Sequence, residues 1–344
     1  MSDGGLSGRI WYALSPAERA ARALLAPFGA LYGAATAVRG ALYDAGILPA
    51  HAGRIAAVSI GNLTVGGTGK TPIAAWLAGE FLSRGAHPAI VLRGYGADEP
   101  LVHQRLNPEV PVIVDADRVR GVARAVAAGA DIAVLDDAFQ HRRAAREADI
   151  VLVSADQWPE RARILPAGPF REPLSALRRA SLVLITRKAA ADGAVERVRA
   201  AVEAAAPNVP VAVARLSLGP LHASDDSPPR PLESLRGQRV LAISGVGDPA
   251  AFIAQLESGG ARVRARSFGD HHRYNFGEAG QLAAYLAAGE MPICTLKDFV
   301  KLAPVWPRQA PALWYVSQRS AVEEGRDALD ALIDSLLRAR IAHP

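Results

Sequence analysis

The sequence predicts an α/β fold: a P-loop NTPase-type parallel sheet covered by helices, a second smaller α/β domain, and an amphipathic helical segment at the N-terminus. Three observations carry that prediction. Short apolar runs such as RIAAVSIGN (54–62), DIAVLDD (131–137), ADIVLVSA (148–155) and SLVLITRK (181–188) alternate with segments of helical period, the pattern of a doubly covered parallel sheet. The first run opens into a glycine-rich loop that leads directly into a helix. At 344 residues the chain also exceeds the roughly 100–200 residues of one domain. A stretch rich in Pro, Ser and charge at 220–239 divides it. The expected organisation is an N-terminal membrane-associated segment (1–50), a P-loop domain (51–219), a linker (220–239) and a C-terminal α/β domain (240–344).

Composition excludes several classes. Half of the residues are apolar and 21% are charged, which rules out a disordered chain. A lone cysteine, Cys294, rules out a disulfide framework and any multi-cysteine zinc or iron–sulfur site. The net charge of +5 is spread along the chain, so it suits acidic partners without choosing among them. Of 39 basic side chains only four are lysines: Lys70, Lys188, Lys297 and Lys301. Each lysine in this chain therefore marks a position worth reading.

From the N-terminus, Met1–Gly8 lacks the basic and apolar regions of a secretory signal. Sixteen uncharged residues lie between Arg22 and Arg39, short of the roughly 18 wanted for a spanning helix, and Pro27 and Gly29 interrupt them. Trp11, Tyr12, Phe28, Tyr32 and Tyr43, mixed with Arg9, Arg19, Arg22 and Arg39, suit a water–lipid interface. The expectation is contact with a membrane surface, with an ordinary packed helix pair as the alternative.

The loop Gly61–Thr71 (GNLTVGGTGKT) sits between the first strand and the helix TPIAAWLAGEFLSRG (71–85), the order a phosphate-binding loop requires. Gly66, Gly67, Thr68 and Gly69 let backbone N–H groups turn inward around phosphate oxygens, and the helix N-terminus adds partial positive charge. Lys70 is expected on the β/γ-phosphates and Thr71 on Mg²⁺. Thr64 stands where the strict pattern has glycine. The run DIAVLDD (131–137) delivers Asp136 and Asp137 at its C-terminal end, as a Mg²⁺-holding strand does, so ATP and Mg²⁺ are the expected ligands. Gln140 and His141 follow closely, either to orient groups near the γ-phosphate or as a surface helix start.

These residues resemble one family closely, the tetraacyldisaccharide 4′-kinases that act in lipid A biosynthesis. The resemblance rests on GNLTVGGTGKTP (61–72), LRGYG (92–96), DEP (98–100), DDAFQHR (136–142), LPAGPFREPL (165–174), SGVGDP (244–249), FGDHHRY (268–274) and TLKDFVKL (295–302). It implies ATP-dependent phosphorylation of the 4′-hydroxyl of a tetraacyldisaccharide 1-phosphate, a glycolipid, at the cytoplasmic face of the bacterial inner membrane. It implies neither nucleic acid nor an obligate protein partner. It places Asp98 with His271 as the pair that takes the hydroxyl proton, although they lie 173 residues apart, and gives Glu172 a role on Mg²⁺ or on the acceptor. His272 competes with His271 for the first role. A structural Arg171–Glu172 pair is the alternative for Glu172, and Arg93, Arg118 and Lys297 are candidates to face phosphates.

Two further motifs carry less. Gly245-Val-Gly-Asp-Pro-Ala250 follows a strand and matches a dinucleotide-binding turn, and Asp270-His271-His272 echoes a phosphoesterase metal signature. A P-loop already supplies the nucleotide site, and the other phosphoesterase ligands are not evident. The competing functional classes are a P-loop ATPase or GTPase switch acting on a protein, and a membrane adaptor with a relic loop.

Overall fold

The computed structural model describes residues 11, 15–94, 96, 98–225 and 227–342. Arg9 and Tyr12 of the expected interfacial set, and Tyr95 of LRGYG, lie outside the described residues. The chain divides into two compact units. Gly96–Val102 and Leu216–Ala321 build the smaller, and the described residues of Gly4–Tyr95, His103–Arg215 and Val322–Pro344 build the larger.

The larger unit holds strands β1 (Ala56–Asn62), β2 (Pro88–Leu92), β3 (Val112–Val114), β4 (Ile132–Asp136), β5 (Ala148–Ser154), β6 (Leu182–Arg187) and the first part of β7 (Val211–Ala223). They lie in the order β3-β2-β4-β1-β5-β6-β7, and every pairing is parallel. Strands β1, β2 and β4 are buried along their whole length, which is why they read as continuous apolar runs rather than alternating ones. β1 lies beside β4 with Ile60 opposite Asp136, so the glycine-rich loop and the two aspartates leave neighbouring strands at the same edge.

Helix α1 (Pro16–Asp44) begins at Ser15, whose hydroxyl accepts from Glu18 N while the Glu18 carboxylate accepts from Ser15 N, a complete capping box. It runs unbroken through Pro27 and Gly29, against the expectation that they interrupt it. Alanine-rich turns favour helix, and packing holds the inner face. A Cβ on Gly29 would stand 3.1 Å from the Ile164 carbonyl, Arg39 donates to the Gln140 carbonyl, and Arg142 donates to Gly40 O and Asp44. Leu24, Phe28, Leu31 and Val38 are exposed at helical spacing on the other side. By length and composition this helix reaches what a membrane span needs, which the count of uncharged residues did not anticipate.

The remaining helices of this unit are α2 (Lys70–Ser83), the end of α3 (Asp98–Leu106), α4 (Arg118–Ala127), α5 (Asp192–Ala205) and α9 (Arg326–Ala342). The smaller unit contains β8 (Arg239–Ser244), β9 (Arg262–Ser267), β10 (Met291–Thr295) and the first part of β11 (Trp314–Glu324), in the order β11-β10-β8-β9 and again parallel. Leu235, Val240, Ala242, Leu256, Ile293 and Val316 form the middle of its core. Its helices are the start of α3, α6 (Pro249–Ser258), α7 (Phe276–Ala284) and α8 (Leu296–Leu302).

The unit boundaries differ from those expected. The division falls inside β7, and α9 belongs to the larger unit rather than to a domain spanning 240–344. The described residues of 220–239 are structured: Leu221 and Arg230 exchange backbone hydrogen bonds of 2.8 and 2.9 Å, and Leu221 and Leu235 are fully buried. Its Pro and Ser content reflects tight turns, not a free linker.

Candidate active site

The larger unit carries the phosphate loop. Gly69 stands at the N-cap of α2 with φ +89°, and Gly66 has φ +126°, both in the region that glycine enters without steric cost. The buried Thr68 accepts a hydrogen bond from Asn62 Nδ2 through its hydroxyl (2.9 Å) and from Thr186 Oγ1 through its carbonyl (2.9 Å). Lys188 Nζ donates to Gly67 O at 3.3 Å. The first half of the loop is bound by the LPAGPFREPL segment, since Val65 N donates to Pro169 O and Arg171 N to Leu63 O. Thr64 pairs with Phe170 in an isolated bridge. The missing glycine at 64 is thereby explained: this part of the loop is extended and paired, and needs no unusual backbone angle.

Lys70 and Thr71 open α2. Lys70 Nζ lies 3.7 Å from Asp137 Oδ1, and Arg171 Nη1 donates to the same carboxylate at 3.1 and 3.3 Å. Asp137 has φ +52°, which aspartate tolerates better than most residues. Burial acts to raise its pKa, but the charges of Lys70 and Arg171 prevail and hold it below the ordinary range. Asp136 is buried. Its Oδ2 lies 3.0 Å from Nε2 of the fully buried His103, and its Oδ1 is buried without a hydrogen-bond partner. An unsatisfied anionic oxygen beside a phosphate loop fits a hard divalent cation, for which one or two carboxylates and a threonine hydroxyl suffice when phosphates supply the rest.

Asp98 and His271 meet within the smaller unit. Asp98, 2% exposed, opens α3, and its Oδ1 lies 3.2 Å from His271 Nδ1. His271 has φ +59°. Lys297 Nζ lies 3.2 Å from His271 Nε2 and donates to Asp270 Oδ1 at 2.9 Å. An ammonium offers only protons, so Nε2 accepts there and Nδ1 carries the proton shared with Asp98. Lys301 Nζ stands 3.2 Å from Asp98 Oδ2. Burial acts to raise the Asp98 pKa, but Lys301, Lys297 and His271 together hold it below the ordinary range. Gly96 is required here: a Cβ would stand 2.6 Å from His271 Nδ1 and closer still to Asp98 Oδ1.

Other expected site residues are placed differently. His272 does not compete with His271; it stacks on Phe268 and pairs with Glu278 at 3.3 Å. Glu172 forms an ion pair with Arg179 at 2.8 Å, while its neighbour Arg171 goes to Asp137. Arg118 is a buried tie, donating to the carbonyls of Asp115 (2.9 Å) and Asp136 (3.2 Å), and burial lowers its pKa. Gln140 donates to Asn62 O, and it and His141 lie in turns, not a helix start. In the Gly245 turn, Asp298 takes the Gly245 N–H and the Asp248 side chain takes the Ala251 N–H at the start of α6, so carboxylates already occupy these two donors. Among the described residues no group of three or more His, Cys, Asp or Glu is arranged to hold a metal, which leaves the Asp270-His271-His272 echo without support. Sequence reasoning gave no role to His103 or Lys301; rarity of lysine was the available signal for the second.

The family model described as tetraacyldisaccharide-1-P 4′-kinase matches residues 21–338. The chain belongs to that family. A tetraacyldisaccharide 4′-kinase from a strain of Anaeromyxobacter dehalogenans is 40% identical, aligning 90% of this chain with 92% of its own. One from Halorhodospira halophila is 38% identical, with 85% and 86% covered. Among solved structures, LpxK from Aquifex aeolicus in complex with ATP is similar at 28% identity with a TM-score of 0.71, covering 92% of this chain and 99% of that one. The α/β P-loop kinase fold expected for a family member is the fold found.

Proposed function

We infer that this protein is an ATP-dependent kinase that phosphorylates the 4′-hydroxyl of a tetraacyldisaccharide 1-phosphate to give the 1,4′-bisphosphate. The observation that carries the reading is the approach of Lys70, at the start of α2, to the Asp136-Asp137 end of β4, in a chain matched by the kinase family along residues 21–338. The loop N–H groups and Lys70 bind and orient the triphosphate of ATP. Lys70, paired with Asp137 before nucleotide arrives, transfers its charge to the phosphates. Thr71, Asp136 and Asp137 would hold Mg²⁺, which would supply positive charge against the negative charge developing on the phosphates; Glu172 could join only by leaving Arg179. His103 fixes the Asp136 carboxylate so that Oδ1 faces away from it.

The acceptor hydroxyl must lose a proton as it attacks phosphorus, and the Asp98–His271 pair takes it. The buried carboxylate holds the ring with Nδ1 protonated; Nε2 takes the hydroxyl proton once the Lys297 ammonium gives up its contact there and keeps the one to Asp270, and the carboxylate balances the charge that the ring gains. We further propose that α1 attaches the protein to the cytoplasmic face of the inner membrane through Leu24, Phe28, Leu31 and Val38, bringing it to its glycolipid substrate. Phosphorus NMR of the product tests the reaction: a new phosphate monoester at the 4′-position supports the reading, and an unmodified lipid alongside consumed ATP rejects it.

A further inference from the structure

All four lysines of this arginine-rich chain lie at the two clusters just described. Three face phosphate-loop or histidine groups. Lys301 does not: it is only 12% exposed and stands between two carboxylates, 3.2 Å from Asp98 Oδ2 and 3.8 Å from Asp298 Oδ1. Asp298 is itself immobile. It is fully buried, accepts from Gly245 N (2.9 Å), Tyr274 OH (2.9 Å) and Thr295 Oγ1 (2.7 Å), and lies three residues before Lys301 on the same face of α8. The ring of Tyr274 covers the ammonium from another side, its centroid 5.9 Å from Nζ.

We propose that Lys301 is a positioning residue for phosphoryl transfer, an ammonium anchored on Asp298 that fixes the second oxygen of Asp98 and leaves the first for His271. This rests on the reading of Asp98 and His271 as the proton-accepting pair. A compact point charge suits a slot between two carboxylates, where the broad planar guanidinium used elsewhere in this chain would not fit without displacing one of them. Without Lys301 the buried Asp98 carboxylate loses its closest cation. Desolvation then favours the protonated acid, which can neither orient the ring nor balance its charge. Asp98, Asp298, Tyr274 and Cys294 are the titratable groups around the ammonium, and Lys297 and His271 are the other charges on Asp98.

The test compares the pH profiles of kcat for wild type, Lys301→Gln, Lys301→Arg, Asp98→Asn and His271→Ala in the full-length protein. Lys301→Gln is expected to lower kcat about tenfold or more near neutral pH, leave the KM for ATP unchanged, and move the acidic limb to higher pH. Lys301→Arg, which keeps the charge but not the fit, is expected to keep the limb in place while still lowering kcat. Adding Lys301→Gln to Asp98→Asn is expected to cost nothing further. Thermal unfolding checks each fold, and Lys301→Met replaces the glutamine variant if that one does not fold. A neutral variant with the wild-type limb, whether fully active or uniformly slowed, overturns the proposal while Asp98→Asn remains impaired. If Asp98→Asn and His271→Ala both keep wild-type turnover, the base assignment fails and takes this role for Lys301 with it.

Discussion

Asp115 shows how single residues set the pH response of this fold. Its carboxylate receives two hydrogen bonds of 2.7 Å from Arg120 and one of 3.4 Å from Arg124, just after β3. The Arg120 hydrogen bonds are the largest cause of a pKa lowered to about 2. A carboxyl more acidic in the folded state stabilises the fold above its unfolded pKa, and that contribution disappears as pH falls through the folded value. Asp115→Asn is therefore expected to lower Tm at neutral pH, with the gap to wild type narrowing between about pH 4 and pH 2; thermal unfolding across that range checks it. At Lys70 the prediction concerns rate. Lys70→Ala removes charge from the phosphates and is expected to cost roughly 10²–10³-fold in kcat while the fold stays intact, since the partly exposed side chain opens α2 and is not among the residues the helix buries in the core.

At the scale of elements, what could be read beforehand depended on how local the signal was. The β1 loop, α2 and the Asp136-Asp137 strand end were legible because strand, glycines, lysine and carboxylates follow in order along the chain. The meeting of Asp98 with His271 was not derivable from spacing, because it depends on the loop that follows β9 closing on the start of α3; only the family resemblance supplied it. Strand β9 escaped notice for another reason. Its sequence RVRARS carries arginine at alternate positions on a largely exposed edge, so it shows no apolar run. The segment 220–239 misled in the opposite sense, its turn residues imitating a linker. Gly96, just before α3, gives a sharp prediction: Gly96→Ala places a methyl group between Asp98 and His271 and is expected to impair kcat about as much as His271→Ala, with ATP binding retained. Steady-state kinetics beside nucleotide titration would decide this, and an active Gly96→Ala variant would count against the pairing.

For the molecule as a whole, the proposed attachment through helix α1 would bring the kinase to its acylated substrate. One side of the helix is held by Ile164, Gln140 and Arg142, and the other leaves Leu24, Phe28, Leu31 and Val38 exposed. Changing Leu24, Phe28 and Leu31 together to Gln is expected to release the protein from anionic phospholipid vesicles in sedimentation, without changing Mg²⁺-ATP affinity. Unchanged vesicle binding would remove α1 from the account. The central claim is phosphoryl transfer to the lipid, and one assay addresses it directly. Wild type, Lys70→Ala and His271→Ala are incubated with γ-labelled ATP, Mg²⁺ and detergent-dispersed tetraacyldisaccharide 1-phosphate, and the label in the lipid is counted. Rapid labelling by wild type, with both variants strongly impaired, is the predicted result. ATP hydrolysis by wild type with no label in the lipid would contradict the account and point to a nucleotide-driven switch.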